Sequence, residues 1–96
     1  MYIITVDRVN KKDEKLKRRI YGHSKKVEGL EGEAYKAKVK EICTHKFKLL
    51  DDDGHVYFFG FSTNDSSFAP MDGIGACYGC TEIHYKNKIT GEYEIL

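Results

Sequence analysis

Lys46-Phe47-Lys48-Leu49-Leu50, then Asp51-Asp52-Asp53-Gly54, then His55-Val56-Tyr57-Phe58-Phe59-Gly60-Phe61 is the stretch that decides the fold. Two runs rich in aromatic and branched side chains flank four residues suited to a tight turn, glycine above all because it takes positive φ without steric cost. The reading is a β-hairpin. Working outward, Tyr2 to Val9 alternates Tyr2, Ile4 and Val6 against Ile3, Thr5 and Asp7, which describes a strand with one face better buried. Near the other end Thr81-Glu82-Ile83-His84-Tyr85 alternates, Asn87 to Gly91 turns, and Glu92-Tyr93-Glu94-Ile95-Leu96 returns as a second hairpin.

The segments between these are less decided. Leu16 to Tyr21 alternates and reads as a short edge strand with its cations in solvent. Residues 33–42 fit two templates: Tyr35, Ala37 and Val39 keep a period of two, while Tyr35, Val39 and Ile42 fall at i, i+4 and i+7 in a run of Ala, Lys and Glu that propagates helix well. Ser62 to Tyr78 holds Ser, Asn, Asp, Gly and the only proline, Pro70, and reads as an irregular connection from which Phe68 and Met71 tuck back onto the core. The expected fold is mainly β, or α+β if residues 33–42 are helical. It is a single twisted antiparallel sheet of about five strands built from hairpins, with at most one short helix, in one domain over residues 1–96. Residues 10–32 are its one expected flexible charged loop.

Bulk properties bound the function. The 96 residues suit one core, and 7 Tyr and 5 Phe supply it without disulfides. The start of the chain has no basic leader followed by an apolar stretch, and no run is long enough for a membrane span, so a cytoplasmic protein without a membrane partner is expected. Three cysteines leave an odd thiol in any pairing scheme, which suits a reducing compartment. The net charge of +1 hides a split: residues 1–48 hold 14 Lys and Arg against 7 Asp and Glu, and residues 49–96 hold 2 against 8. Strands that interleave the two halves would cancel it; otherwise one surface attracts polyanions.

Four constellations invite chemistry. Cys77 and Cys80 have knuckle spacing, and Cys43 with His45 would complete a zinc set. His84 is excluded from it, since an extended run from Cys80 places it roughly 13 Å away. No second knuckle supports the set, so small buried or loop thiols are the expectation, with neither metal nor cofactor. The acids at Asp51, Asp52 and Asp53 fail the calcium-loop pattern, because its sixth and twelfth places hold Val56 and Ser62. Histidines and serines occur without a nucleophile elbow or phosphate loop, so binding rather than catalysis is expected. Finally, Lys11, Lys12, Lys15, Lys17, Arg18, Arg19, Lys25 and Lys26 concentrate 8 cations within 16 residues around Tyr21 and His23, which suits a polyanion.

Met1 to Asp7, Thr44 to Tyr57, Phe68-Ala69-Pro70-Met71-Asp72, Gly79 to Tyr85 and Gly91-Glu92-Tyr93-Glu94 resemble small β-rich proteins of bacterial phages and mobile elements. The resemblance leaves out the basic stretch from Asn10 to about Lys40. It departs from the group at Tyr93, where a tryptophan is common, and at Cys77, where no cysteine is expected. The resemblance implies an anti-CRISPR-like setting in the bacterial cytoplasm: an inhibitor or modulator of a host protein or ribonucleoprotein complex. Asp51, Asp52 and Asp53, or the Lys17-Arg18-Arg19 and Lys25-Lys26 clusters, would then stand at the contact. The alternatives are a nucleic-acid-binding module using the basic half and, third, a zinc protein. Free edges at Leu16 to Tyr21 and Glu92 to Leu96 permit pairing of copies and leave the oligomeric state open.

Overall fold

The computed structural model describes all 96 residues. Its six strands are β1 (Tyr2–Asp7), β2 (Ile20–Tyr21), β3 (His45–Leu50), β4 (Val56–Ser62), β5 (Glu82–Lys86) and β6 (Tyr93–Ile95). They form one antiparallel sheet in the order β2-β1-β4-β3-β5-β6. The β3–β4 hairpin is as expected. Gly54, at φ +82°, donates its N–H to the Asp51 carbonyl at 3.1 Å, and Asp51 donates to the His55 carbonyl at 3.1 Å. The Asp51 carboxylate accepts the N–H groups of Asp53 and His55 at 3.0 and 2.8 Å, so the acid at the start of the turn is a structural part of it.

The two faces of the sheet are covered differently. One face carries Tyr2, Ile4, Phe47, Leu49, Phe58, Ile83 and Tyr85, sealed by Leu16, Ile74 and Cys80 from the connections. Each large side chain fully buried there, such as Phe47 or Phe58, contributes roughly 1.5–3 kcal/mol. The opposite face carries Ile3 under a smaller cluster with Val27, Val39 and Cys43. Val39 and Cys43 come from the single α-helix, α1 (Gly32–Ile42), and its end. The open question at residues 33–42 is therefore answered by the i, i+4, i+7 set: Val39 is fully buried, with Tyr35 and Ile42 packed beside it. The helical phase wins because it buries all three on one side, while its Lys and Glu residues stay in water.

Four expectations need correction, the first at β1, where a register shift between Ile4 and Val6 leaves Val6 exposed and buries Asp7 on the core side instead. The edge strand expected over Leu16 to Tyr21 is confined to Ile20–Tyr21, because Leu16 is a buried anchor rather than a strand residue. Ser62 to Tyr78 is not wholly irregular: it holds a helical turn, π-wound over Met71–Gly75. Pro70 is tolerated there because the first turn of a helix leaves its N–H groups unpaired anyway, and the Ser67 hydroxyl accepts the N–H of Ala69 at 3.0 Å in front of it. This turn is tied to the sheet by Tyr85, whose hydroxyl donates to the Ser67 carbonyl at 2.7 Å, and by Tyr2, whose hydroxyl accepts the Ile74 N–H at 3.4 Å. Met71 packs on the core, but Phe68 is exposed rather than tucked back. The second hairpin is present as β5 and β6.

Residues 10–32 are held by Leu16, Val27 and Asp7. Asp7, 2% exposed, accepts N–H bonds from Val9, Asn10 and Leu16 and from the Asn10 amide at 2.8–3.1 Å. Burial alone would raise its carboxyl pKa, but these donors outweigh burial and hold it below the ordinary value. A group depressed in this way lends stability above its unfolded pKa, and that stability is lost as pH falls through the folded value. Asp7→Asn is expected to cost about 1–3 kcal/mol in urea unfolding at neutral pH. Its deficit against the parent should shrink as pH falls below about 4; an unchanged deficit at acid pH would contradict the assignment.

At the centre of the sheet Gly60 faces Phe47. A Cβ on Gly60 would clash with the Ile3 carbonyl oxygen and stand 2.5 Å from the Phe47 ring. Gly60→Ala is therefore expected to destabilise by about 3 kcal/mol, measured by urea unfolding, and a near-neutral result would refute the close approach.

Candidate nucleic-acid interface

The residues singled out in the sequence do not form one site. Of the basic five, Lys17 pairs with Glu14 at 3.1 Å, Lys25 and Lys26 are exposed on a short 3-10 turn (Lys25–Val27), and Arg19 is exposed beside β1. Arg18 alone of the five lines a hollow, together with residues of α1. Among the three acids, Asp51 is drawn into its turn, where burial is outweighed by the N–H donors and its pKa is held down, while Asp52 and Asp53 are exposed. The Asp51, Asp53 and His55 ligand atoms lie within 4.8 Å of one another, which the turn geometry accounts for.

The sheet itself keeps the four residues of the zinc alternative, Cys43, His45, Cys77 and Cys80, from coming together. Cys43 belongs to the cluster under α1 and Cys80 to the core on the opposite face, so the sheet separates them. Cys77 is exposed, and His45 sits at the far end of β3 from the segment carrying Cys80, 3.9 Å from Asp65. Burial pushes the Cys80 thiol up to about 11 and also raises that of Cys43, which leaves both as neutral packing residues.

A different set of residues does converge, on the part of α1's face of the sheet that the helix does not cover. Cross-strand pairing sets Lys46 against Phe61 and Lys48 against Phe59, then Lys48 against His84, and Lys86 against Tyr93. Phe59, Phe61 and Tyr93 are half-buried among them. The Lys48 ammonium stands 4.5 Å from the Tyr93 ring centroid and the Lys46 ammonium 5.7 Å from that of Phe59. The Phe59 and Tyr93 rings meet edge-on, with centroids 6.5 Å apart at 63°. Burial raises the Tyr93 phenol pKa, so this ring is neutral at physiological pH. The acid on this face of β5, Glu82, is engaged by His84 at 2.9 Å. Lys46, Lys48 and Lys86 make no ion pair, and the first two stand over the rings of Phe59 and Tyr93.

The charge split is resolved by topology. Strand β4, from the acid-rich half, lies between β1 and β3 from the basic half, so the halves interleave as backbone. The lysines of β3 nonetheless point to one face, because alternation along the strand sends Phe47 and Leu49 to the core and Lys46 and Lys48 away from it. Sequence reading weighed the cations of residues 11–26 and passed over these two, whose only signal was their spacing opposite the core residues.

Compared with family models, curated proteins and solved structures, the chain matches none. No helix is long and apolar enough to cross a membrane.

Proposed function

We propose that this protein binds single-stranded nucleic acid on the open face of its sheet. Bases would stack on Phe59, Phe61 and Tyr93, and phosphates would be neutralised by Lys46, Lys48 and Lys86. The observation that carries the reading is the interleaving of half-buried aromatic rings with unpaired lysines on one face. Rings on a rigid strand offer a π-face to any base, and adjacent ammonium groups meet the backbone charge without selecting sequence. A duplex would keep its bases stacked inside, out of reach of such rings, so a single strand is the fitting form.

The test is fluorescence anisotropy with a labelled oligothymidylate across a salt series. Three phosphate contacts give a slope of about −2 in log affinity against log salt for a single strand. Phe59→Ala and Tyr93→Ala are each expected to weaken binding about tenfold or more at fixed salt. Lys46→Glu with Lys48→Glu should weaken it further and flatten the slope. Folded variants that bind as the parent does would refute the reading.

A second reading, inhibition of a host nucleoprotein enzyme, is favoured by the exposed carboxylates of Asp52 and Asp53 at the tip of the β3–β4 turn. A protein captured from host lysate after nuclease treatment, and released by Asp52→Lys with Asp53→Lys, would support it. Capture that nuclease abolishes would count for nucleic-acid binding alone.

A further inference from the structure

We infer that the hollow between β2 and α1 is a second segment of the same binding track and takes the phosphodiester backbone of the strand as it leaves the sheet face. The inference rests on the reading just proposed. The hollow, about 450 Å³, has an apolar floor of Ile3, Ile20 and Ala37, and its charged groups are Arg18, Lys36, Lys40 and Glu33. Lys36 and Lys40 lie one helical turn apart on the same side of α1. Glu33 approaches only Lys36, at 3.9 Å with both side chains mostly exposed, while Arg18 and Lys40 make no ion pair. Such an exposed pair contributes little, so the hollow has a net positive field that an anion would neutralise.

Arg18 is placed there against the preference of its own backbone. It holds φ +70°, a conformation that side-chain-bearing residues seldom adopt. Strand β1 enforces it: Arg18 donates its N–H to the Ile4 carbonyl at 2.7 Å, and Ile4 donates back to the Arg19 carbonyl at 3.1 Å. Backbone strain that the surrounding structure maintains is concentrated at ligand-binding positions. A guanidinium with no carboxylate partner is also the side chain best shaped to donate two parallel N–H bonds to phosphate oxygens.

Shared lining residues make the track continuous. Lys40 also borders an adjoining hollow with Thr5 and Phe61, and Phe61 borders a third with Lys46, Lys86 and Lys88. Cations therefore run from α1 across the open face to the β5–β6 turn, with Phe61 between the two groups of them.

The experiment compares oligothymidylates of about 5 and about 15 nucleotides, the span of single-strand site sizes, in salt titrations of the parent and of the triple variant Arg18→Ala, Lys36→Ala, Lys40→Ala. The parent should bind the longer strand more tightly and with the steeper slope. The triple variant should keep its affinity for the short strand, lose the gain with length, and lose about 2 from the slope on the longer one, as expected for three phosphates. A retained gain with length would overturn the inference, and so would equal loss on both lengths; in either case Phe59→Ala and Tyr93→Ala still report on the sheet face. Failure of the parent to bind either strand would sink the sheet-face reading together with this one. Arg18→Gly separates ligand binding from folding. It should raise the melting temperature by releasing the strained backbone while weakening the longer strand severalfold, and a variant that gains stability without losing affinity would overturn the role of Arg18.

Discussion

The ring of Phe47 lies over the bare backbone of Gly60, and the rest of the sheet is arranged around that contact. Gly60 pairs with Ile4 on one side and with Phe47 on the other, so it lies between the two strands that the core depends on. With no side chain at this point, the carbonyl of Ile3 and the Phe47 ring both come closer than any Cβ would allow. Phe47 in turn meets Tyr2 and Tyr85 edge-on, each with ring centroids 6.0 Å away, and Tyr2 stacks on Tyr21 at 4.9 Å. A line of rings thus crosses the sheet from β2 to β5. Geometry of this kind adds to plain burial, because the positive edge of one ring faces the negative face of the next.

One face is sealed completely and the other is covered only in part. The helical turn at Met71–Gly75 and the loop that carries Leu16 close the aromatic side. On the other side α1 reaches only as far as Ile3 and Phe61, which leaves β3, β5 and β6 without a cover. An uncovered sheet face in water normally carries polar side chains throughout. Here it holds Phe59 and Tyr93 between lysines, a combination that costs some exposure of apolar surface and is suited to a partner with both flat rings and negative charge.

Much of the architecture was legible because local chemistry and tertiary structure agree. The Asp51-to-Gly54 turn was readable since its glycine supplies the left-handed residue and its first acid caps the turn. The closing hairpin was readable from clean alternation in Glu82 to Tyr85. Residues 33–42 were ambiguous because Tyr35, Val39 and Ile42 fit a helix while Tyr35, Ala37 and Val39 fit a strand, and only the space over Ile3 and Val27 chose between them. The turn around Pro70 was missed because glycine and serine obscured it, and its stability comes from the distant hydroxyls of Tyr2 and Tyr85. The cations of residues 11–26 were visible as a density in sequence, but a density has no direction, and most of them face water separately.

What the amino-acid order determined by itself was a set of short strands, one strong turn, a single core and an excess of cations early in the chain. Which side chains share a face was decided by tertiary structure, through one extra residue. Counting back from the turn in a regular hairpin would set Lys48 opposite Phe58, but Leu50 pairs with Val56 and Leu49 with Phe58, so Tyr57 is left over as a bulge. That single slip reverses the alternation of β4: Phe58 enters the core, and Phe59 and Phe61 come to lie beside Lys48 and Lys46. The side-chain period of a strand is two, so one unpaired residue exchanges its faces. Nothing local to Val56-Tyr57-Phe58-Phe59 distinguishes the two registers, since all four are apolar; the choice falls to the fit of Phe47 over Gly60, which exists only once β1, β3 and β4 lie side by side.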